Sequence, residues 1–431
     1  MANIRPFRGL RYGASRADRA ERVLAPPYDV VDETGRAVLA ARSPDNCIHV
    51  ILPEGIGQQK YANGAAAFRR LVSEAFVRDA EPGVYVYHQR FACEGKTYVR
   101  KGFVCLIELT RFGHGPVLAH ERTLSGPKQD RLELMRACQA HVELVFGMFS
   151  DPERRWEQAV EGRLSAPVLD CEFDDVNHAL WRVHDSDALD RLTHVLEDRS
   201  IYIADGHHRY ETMCSYRDEL EREGRGDRAR YGMIYLSNLD DPGLVVLPTH
   251  RLLHSLPEID VDRVSTSARE WFDVTKVPLP SDAGTLKTIL AEAGSTRPAV
   301  GLAVPNRNIL HLLALRSEFD AHATGLARLA APLQQLDVVL LHELVLERLL
   351  GIGKPAQAAK TNLGYDKSTE SALTIAHRGD GHTQLVCFMN ATRVEDVRAV
   401  CDSGEVMPQK STFFYPKIPT GLVFHDLRGD S

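Results

Sequence analysis

A mixed α/β or α+β chain of two packed domains is the fold class that three observations predict. Short segments rich in Val, Ile, Tyr and Phe are interleaved from end to end with stretches whose apolar residues recur at helical spacing. The chain has 431 residues, too many for a single core. Its composition, 44% hydrophobic and 26% charged, is that of a globular protein, not of a disordered or fibrous one. No repeat at a fixed period and no low-complexity tract is present.

Residues 1–32, with Pro6, Gly9, Gly13 and the run Ala25-Pro26-Pro27-Tyr28-Asp29-Val30-Val31, read as an ordered loop feeding a first helix. Cys47 to Leu52 reads as a short strand, Ala62 to Val77 as a helix and Gly83 to Phe91 as a strand. Glu94-Gly95-Lys96 supplies a hairpin turn into a strand within Tyr98 to Leu109, so these two strands should pair. Ser125 to Phe149 opens on a Gly-Pro turn and continues from Asp130 as an amphipathic helix with acid near its first turn. Val168 to Val183 alternates weakly, and Ala188 to Leu196 reads as a helix. Ser200 to Ala204 is a short buried strand that stops sharply at Asp205-Gly206. Tyr210 to Glu223 is the next helix, followed by strands at Tyr231 to Leu236 and Leu244 to Leu247.

The polar, proline-punctuated stretch Pro257 to Pro280 marks a division near residue 256, giving domains 1–256 and 257–431. Beyond it come helices at Leu286 to Ala293, Leu336 to Leu350 and Val394 to Cys401. Strands are expected at Ala299 to Val304, Ile309 to Leu315 and Gln384 to Met389, before an irregular tail, Met407 to Gly421.

Fifty-two Lys and Arg against 59 Asp and Glu leave a formal charge of -7. That balance offers no broad cationic field for wrapping a nucleic acid, although it permits a local pocket for one or two phosphate groups. The basic residues near Met1 precede no apolar run, and no segment approaches the roughly 18 apolar residues of a membrane span, so a cytoplasmic protein without a membrane partner is expected. Eight scattered cysteines without a CxxC pair read as reduced structural thiols.

The strongest chemical signal is Asp205-Gly206-His207-His208-Arg209-Tyr210-Glu211. A buried strand stops at an Asp-Gly turn and opens at once into a helix, which aims the first backbone N–H groups and the positive helix end at one spot. Gly206 allows close approach or positive φ, the histidines add donors, and Arg209 adds a charged fork suited to phosphate oxygens. The competing reading is an ordinary helix start capped by Asp205. Zinc is disfavoured, because adjacent histidines diverge and neither His120-Glu121 nor His342-Glu343 continues into an HExxH pattern.

A second constellation is His120-Glu121-Arg122-Thr123-Leu124-Ser125-Gly126-Pro127-Lys128-Gln129-Asp130-Arg131. In it Glu121 is a candidate general base, and Lys128 and Arg131 are candidates to neutralise phosphate charge. A solvated loop with Asp130 as helix cap is the bland alternative. In the tail, Lys410 and Lys417 stand beside Phe413, Phe414 and Tyr415 in a proline-stiffened segment, either over a substrate phosphate or merely packing the core. Pro26-Pro27-Tyr28-Asp29 stands either at a pocket mouth or only sets chain direction. The chain has no GxxxxGK[ST] loop, no GxGxxG after a strand and no GxSxG elbow.

With these residues in view, the chain resembles the ParB/sulfiredoxin superfamily. More closely, it resembles an uncharacterised bacterial and archaeal family marked by DGHHRYE, HERTLSGPK and KSTFFYPK segments. Superfamily members that share DGHHR are free-serine kinases. The resemblance implies a ParB/sulfiredoxin-like catalytic domain followed by a C-terminal α/β domain. It further implies that Asp205, Gly206, His207, His208 and Arg209 hold donor phosphates, and that His120-Glu121 is the His-Glu pair whose glutamate acts as base. In the kinases that pair lies near the start of a shorter domain; here it stands at 120–121.

The expected function is therefore transfer of a phosphoryl group from ATP, ADP or pyrophosphate, with Mg²⁺, to a small hydroxyl compound, L-serine first. Glu121 serves as base, Lys128 and Arg209 stabilise charge, and Arg131 and Lys410 add phosphate contacts. The rivals are a phosphatase using water, a ParB-like nucleotide-binding regulator, and an inactive scaffold.

Overall fold

The computed structural model describes residues 1–121, 123 and 125–429, with the side chains of Ser125 and Pro127 set aside. The chain falls into two compact units: Met1–Ala119 with Thr123–Val245 and Pro416–Ser431, and His120–Arg122 with Val246–Tyr415. The division thus runs at 245/246 instead of near 256, and segments 120–122 and 416–431 each belong to the unit on the other side of it.

The first unit is built on nine strands: β1 (Ile4–Arg5), β2 (Val84–Cys93), β3 (Lys96–Glu108), β4 (Val117–Leu118), β5 (Val145–Phe149), β6 (Leu169–Phe173), β7 (Val176–Val183), β8 (Ile201–Asp205) and β9 (Tyr231–Asn238). Their order is β4-β8-β5-β9-β3-β2-β7-β6, with β1 also on β3. The pairs β4/β8 and β5/β9 are parallel and the rest antiparallel, so the sheet is mixed. The β2/β3 hairpin turns where the sequence predicts. Glu94 and Gly95 both take positive φ, at 52° and 73°, the backbone whose twist matches paired strands. Asp174 and Asp175, at 57° and 60°, do the same between β6 and β7, which resolves the weakly alternating stretch into a second hairpin.

Helices α1 (Gln58–Glu74), α2 (Ser125–Cys138), α3 (Ser186–Leu196) and α4 (His207–Arg222) pack around this sheet. Val86, Phe103, Phe149, Ile203 and Leu236 meet Leu192, Tyr210 and Met213 in one buried cluster. A second gathers Phe68, Leu71, Phe76 and Phe424. Cys47 to Leu52 departs from expectation: Ile48–Ile51 is a helical turn with Ile48, Val50 and Ile51 buried. A short apolar run reads alike for a buried strand and a buried helix, and only packing decides.

The second unit carries a six-stranded antiparallel sheet of β10 (His250–His254), β11 (Phe272–Pro278), β12 (Ala299–Ala303), β13 (Ile309–Leu315), β14 (Leu363–Asp366) and β15 (Thr383–Met389), in the order β11-β13-β12-β15-β10-β14. Leu286, Leu290, Leu373, Val386 and Phe388 fill a core beside it. The expected helix at Leu336 to Leu350 is a single α-turn, Asp337–Leu340, that widens into π geometry over Leu341–Leu349. All eight cysteines are free thiols. Among the described residues, no helix is long and apolar enough to cross a membrane.

Phe424 fastens segment 416–431 to the first unit. It is fully buried, its ring lies 4.8 Å from Phe76 and 6.1 Å from Phe68, and its backbone exchanges hydrogen bonds with Leu10. Truncating such a ring removes its transfer energy and leaves a cavity. Phe424→Ala is therefore expected to cost about 3–5 kcal/mol, measured by urea unfolding against the parent chain.

Candidate functional site

Strand β8 buries Ile201, Tyr202, Ile203 and Ala204, and this rigid support fixes where its last residue, Asp205, stands. Gly206 follows at φ 86°, ψ 30°, and α4 begins at His207. Two facts require glycine there. The backbone is left-handed, and a Cβ on Gly206 would lie 2.9 Å from Nε of Arg209. Gly206, at the N-cap, has no side chain with which to cap the helix start.

Asp205 does not act as the cap because both of its oxygens are engaged elsewhere. Oδ2 accepts from a guanidinium nitrogen of Arg209 at 2.6 Å, and Oδ1 accepts from Nζ of Lys417 at 2.7 Å. Burial opposes a charge on Asp205, yet Lys417 and Arg209, helped by His207, hold its carboxyl well below the usual carboxylate range. One carboxylate thus stands between two cations beside a helix N-terminus, the positive end of the dipole, with Glu143 and Asp29 adding negative charge close to Arg209.

The partners are themselves anchored. Arg209 is 7% exposed, and its second terminal nitrogen donates to the carbonyl of Leu144 just before β5. Lys417 is positioned by its own backbone: its carbonyl accepts from Gln89 of β2 at 3.1 Å, and the carbonyl of Pro416 accepts from Arg100 of β3 at 2.6 Å. Arg100 is fully buried over the Phe146 ring. The two histidines part company as expected. His207 is buried with its ring 6.4 Å from Phe112, whereas His208 is half-buried and its carbonyl accepts from Thr212.

Beside this turn lies a second buried group. Arg131 donates to Glu143 at 3.3 Å, to the carbonyl of Ile51 at 2.8 Å and to Asp130, and its guanidinium stacks 4.1 Å from the Tyr28 ring. The Tyr28 N–H donates to Glu143 as well. Burial first, then Glu143, pushes the Tyr28 hydroxyl up to about 12. Asp205, Glu143, Asp29 and Tyr28 all favour the charge on Arg209, so the Pro26-Pro27-Tyr28-Asp29 turn shares the electrostatics of the Asp-Gly turn. Lys128, on α2, pairs with Glu211 of α4 at 3.1 Å. Both line a cavity of about 210 Å³ together with Arg111, Phe112, Tyr210 and Cys214.

In the second unit, His120 and Glu121 are held by segment 407–414. The His120 ring is fully buried and lies 2.9 Å from the Thr412 hydroxyl, and its carbonyl accepts from Met407. Glu121 accepts the backbone N–H of Lys410. The Lys410 side chain is exposed. Arg122 and Leu124 lie outside the described residues.

Sequence reasoning put Lys410 among the phosphate contacts, whereas the lysine that meets the turn is Lys417. Its flanking prolines, Pro416 and Pro419, are the signal that its place is fixed. Glu143 was missed altogether; a lone acid within the apolar run Val142 to Met148 was the clue. Among the described residues, no group of three His, Cys, Asp or Glu side chains stands together as a metal cradle.

The chain belongs to the family described as a protein of unknown function, DUF1015, whose model matches residues 4–339. No curated protein matches it. Among solved structures, a conserved hypothetical protein from Pyrococcus furiosus is 15% identical, with a TM-score of 0.35 over 73% of this chain and 93% of that one. A free serine kinase in complex with AMP is 14% identical, with a TM-score of 0.35 over 71% and 89%. SbnI with a C-terminal truncation, from Staphylococcus aureus, is 9% identical, with a TM-score of 0.33 over 73% and 87%.

A carboxyl held below its unfolded value, near 3.9, stabilises the fold at pH values above that value, and the contribution fades as pH falls through the lower folded one. Acid titration of unfolding free energy should therefore show the parent chain losing more stability below pH 4 than Asp205→Asn loses.

Proposed function

We propose that this chain is a phosphotransferase that holds the phosphates of a nucleotide or pyrophosphate donor at the turn Gly206 to Arg209 and passes a phosphoryl group to the hydroxyl of a small molecule, L-serine first. The observation that carries the reading is the state of Asp205. Its oxygens are both taken by Arg209 and Lys417, so Asp205 does not cap the helix start behind Gly206, and Gly206 has no side chain to do so. The acid is thereby matched by its two cations, and an arriving oxyanion meets a helix N-terminus instead of a free carboxylate. An ordinary capped helix would place its carboxylate where the phosphate must go.

In this mechanism the acceptor hydroxyl oxygen attacks the terminal phosphorus, the bridging P–O bond of the donor breaks, and the hydroxyl proton passes to the carboxylate of Glu121. That base assignment rests on the likeness of His120-Glu121 to a His-Glu pair. Lys417 and the first backbone N–H groups of α4 answer the charge that builds on the transferred group and the leaving phosphate. Among the described residues no side chains compose a Mg²⁺ cradle: Asp205 is occupied by cations, and no group of three His, Cys, Asp or Glu stands together. No step is assigned to that ion.

The test is a panel of ATP, ADP and pyrophosphate against L-serine and related hydroxyl acids with Mg²⁺ present, followed by phosphorus NMR. A new phosphomonoester resonance with one donor is expected, and none with any pair would overturn the reading. Glu121→Gln should lower turnover by on the order of 10²–10⁴ while donor still binds; an unchanged rate removes Glu121 from the chemistry. Lys417→Met should weaken donor affinity about tenfold or more, read by calorimetric titration, because it takes away a charge-assisted contact of the turn.

A further inference from the structure

A cavity of about 500 Å³ opens in the second unit, within the range of small-molecule sites. Its lining includes the start of β10, the end of β15 and the turn at Asp337. Two charges face it that the fold leaves unmatched. Arg251 is 1% exposed, its terminal nitrogens donate only to the carbonyls of Thr249 and Lys410, and its Nε has no hydrogen-bond partner. Among the described residues no carboxylate pairs with it directly; Glu121 acts on it only through the field. Burial brings its pKa down to about 10.

Asp337 mirrors this arrangement with the opposite sign. Its oxygens accept from the N–H of Ala299 at 2.9 Å and the amide of Asn390 at 3.0 Å, both neutral donors, and among the described residues it forms no ion pair. Burial raises its carboxyl to about 6. The hydroxyl of Thr249, on the same cavity, is buried without a partner. Arg393, by contrast, is matched by Asp396 at 2.9 Å. A buried cation without an anion, and a buried anion without a cation, are each costly to keep in the lining of a cavity. A ligand bearing both charges answers both.

We propose that this cavity is a second binding site, for a small zwitterion of the amino-acid type whose carboxylate pairs with Arg251 and whose ammonium pairs with Asp337. Its occupancy does not require the Asp-Gly turn of the first unit to transfer phosphate, and the variants below separate the two.

The test is thermal unfolding of the full chain with each free amino acid at millimolar concentration, beside acetate and inorganic phosphate as anion-only probes. At least one amino acid should raise the melting temperature by several degrees, as a ligand well above its Kd does, while acetate and phosphate do not. Arg251→Met and Asp337→Asn should each abolish that shift, and Lys417→Met in the first unit should keep it. Asp337→Asn preserves shape and an acceptor oxygen, so it reports on charge even if Arg251→Met folds poorly. No shift with any amino acid overturns the proposal. So does an equal shift with acetate or phosphate, or a shift lost in Lys417→Met and kept in the two second-unit variants.

Discussion

The pairing of one aspartate with two cations is the constraint on which the first unit's candidate site depends. A helix start ordinarily recruits an acidic or hydroxyl side chain to its N–H groups. Here Asp205 is drawn off by Arg209, one turn into α4, and by Lys417, from a segment more than two hundred residues away in the chain. That diversion needs support on every side. Arg209 requires the Leu144 carbonyl and the absence of a Cβ on Gly206; Lys417 requires Gln89 and Arg100 to grip the backbone that carries it. Buried polar groups tied together in this way hold one geometry, and removing any one leaves its partner unsatisfied in a poorly solvated place.

Position 206 links the backbone to the electrostatics. At φ 86° the chain turns sharply enough for the helix to start directly off β8, and the missing side chain lets the Arg209 guanidinium fold back over the turn. The second unit has no equivalent economy. Its large cavity keeps Arg251 and Asp337 each without an opposite charge among the described residues, the kind of local inconsistency that a fold tends to retain where a ligand resolves it.

Much of the architecture was legible in the sequence because it is written in local patterns. The Glu94-Gly95-Lys96 turn announces a hairpin, the apolar run over Tyr231 to Leu236 announces a buried strand, and the abrupt Asp205-Gly206 stop announces a strand handing over to a helix. What escaped was set by tertiary contact. Ile48 to Ile51 is a short apolar stretch broken only by His49, and nothing in its own sequence separates helix from strand. The site's turn was visible as a motif, but not which of two tail lysines would reach it. That choice is made by Arg100 and Gln89 binding the carbonyls of Pro416 and Lys417, a long-range pairing with no sequence spacing to betray it. Glu143 escaped for the same reason, since its partners, Tyr28 and Arg131, come from two other stretches of chain.

The return of segment 416–431 to the first unit also bears on biosynthesis. A ribosome that has finished Val245 has made every strand of the nine-stranded sheet, yet Asp205 is then still short of one of its two cations. The whole of the second unit must be translated before Lys417 and the anchoring ring of Phe424 emerge. The turn is thus completed only late in translation, and a nascent chain cut short before residue 417 carries the motif without its finished charge balance.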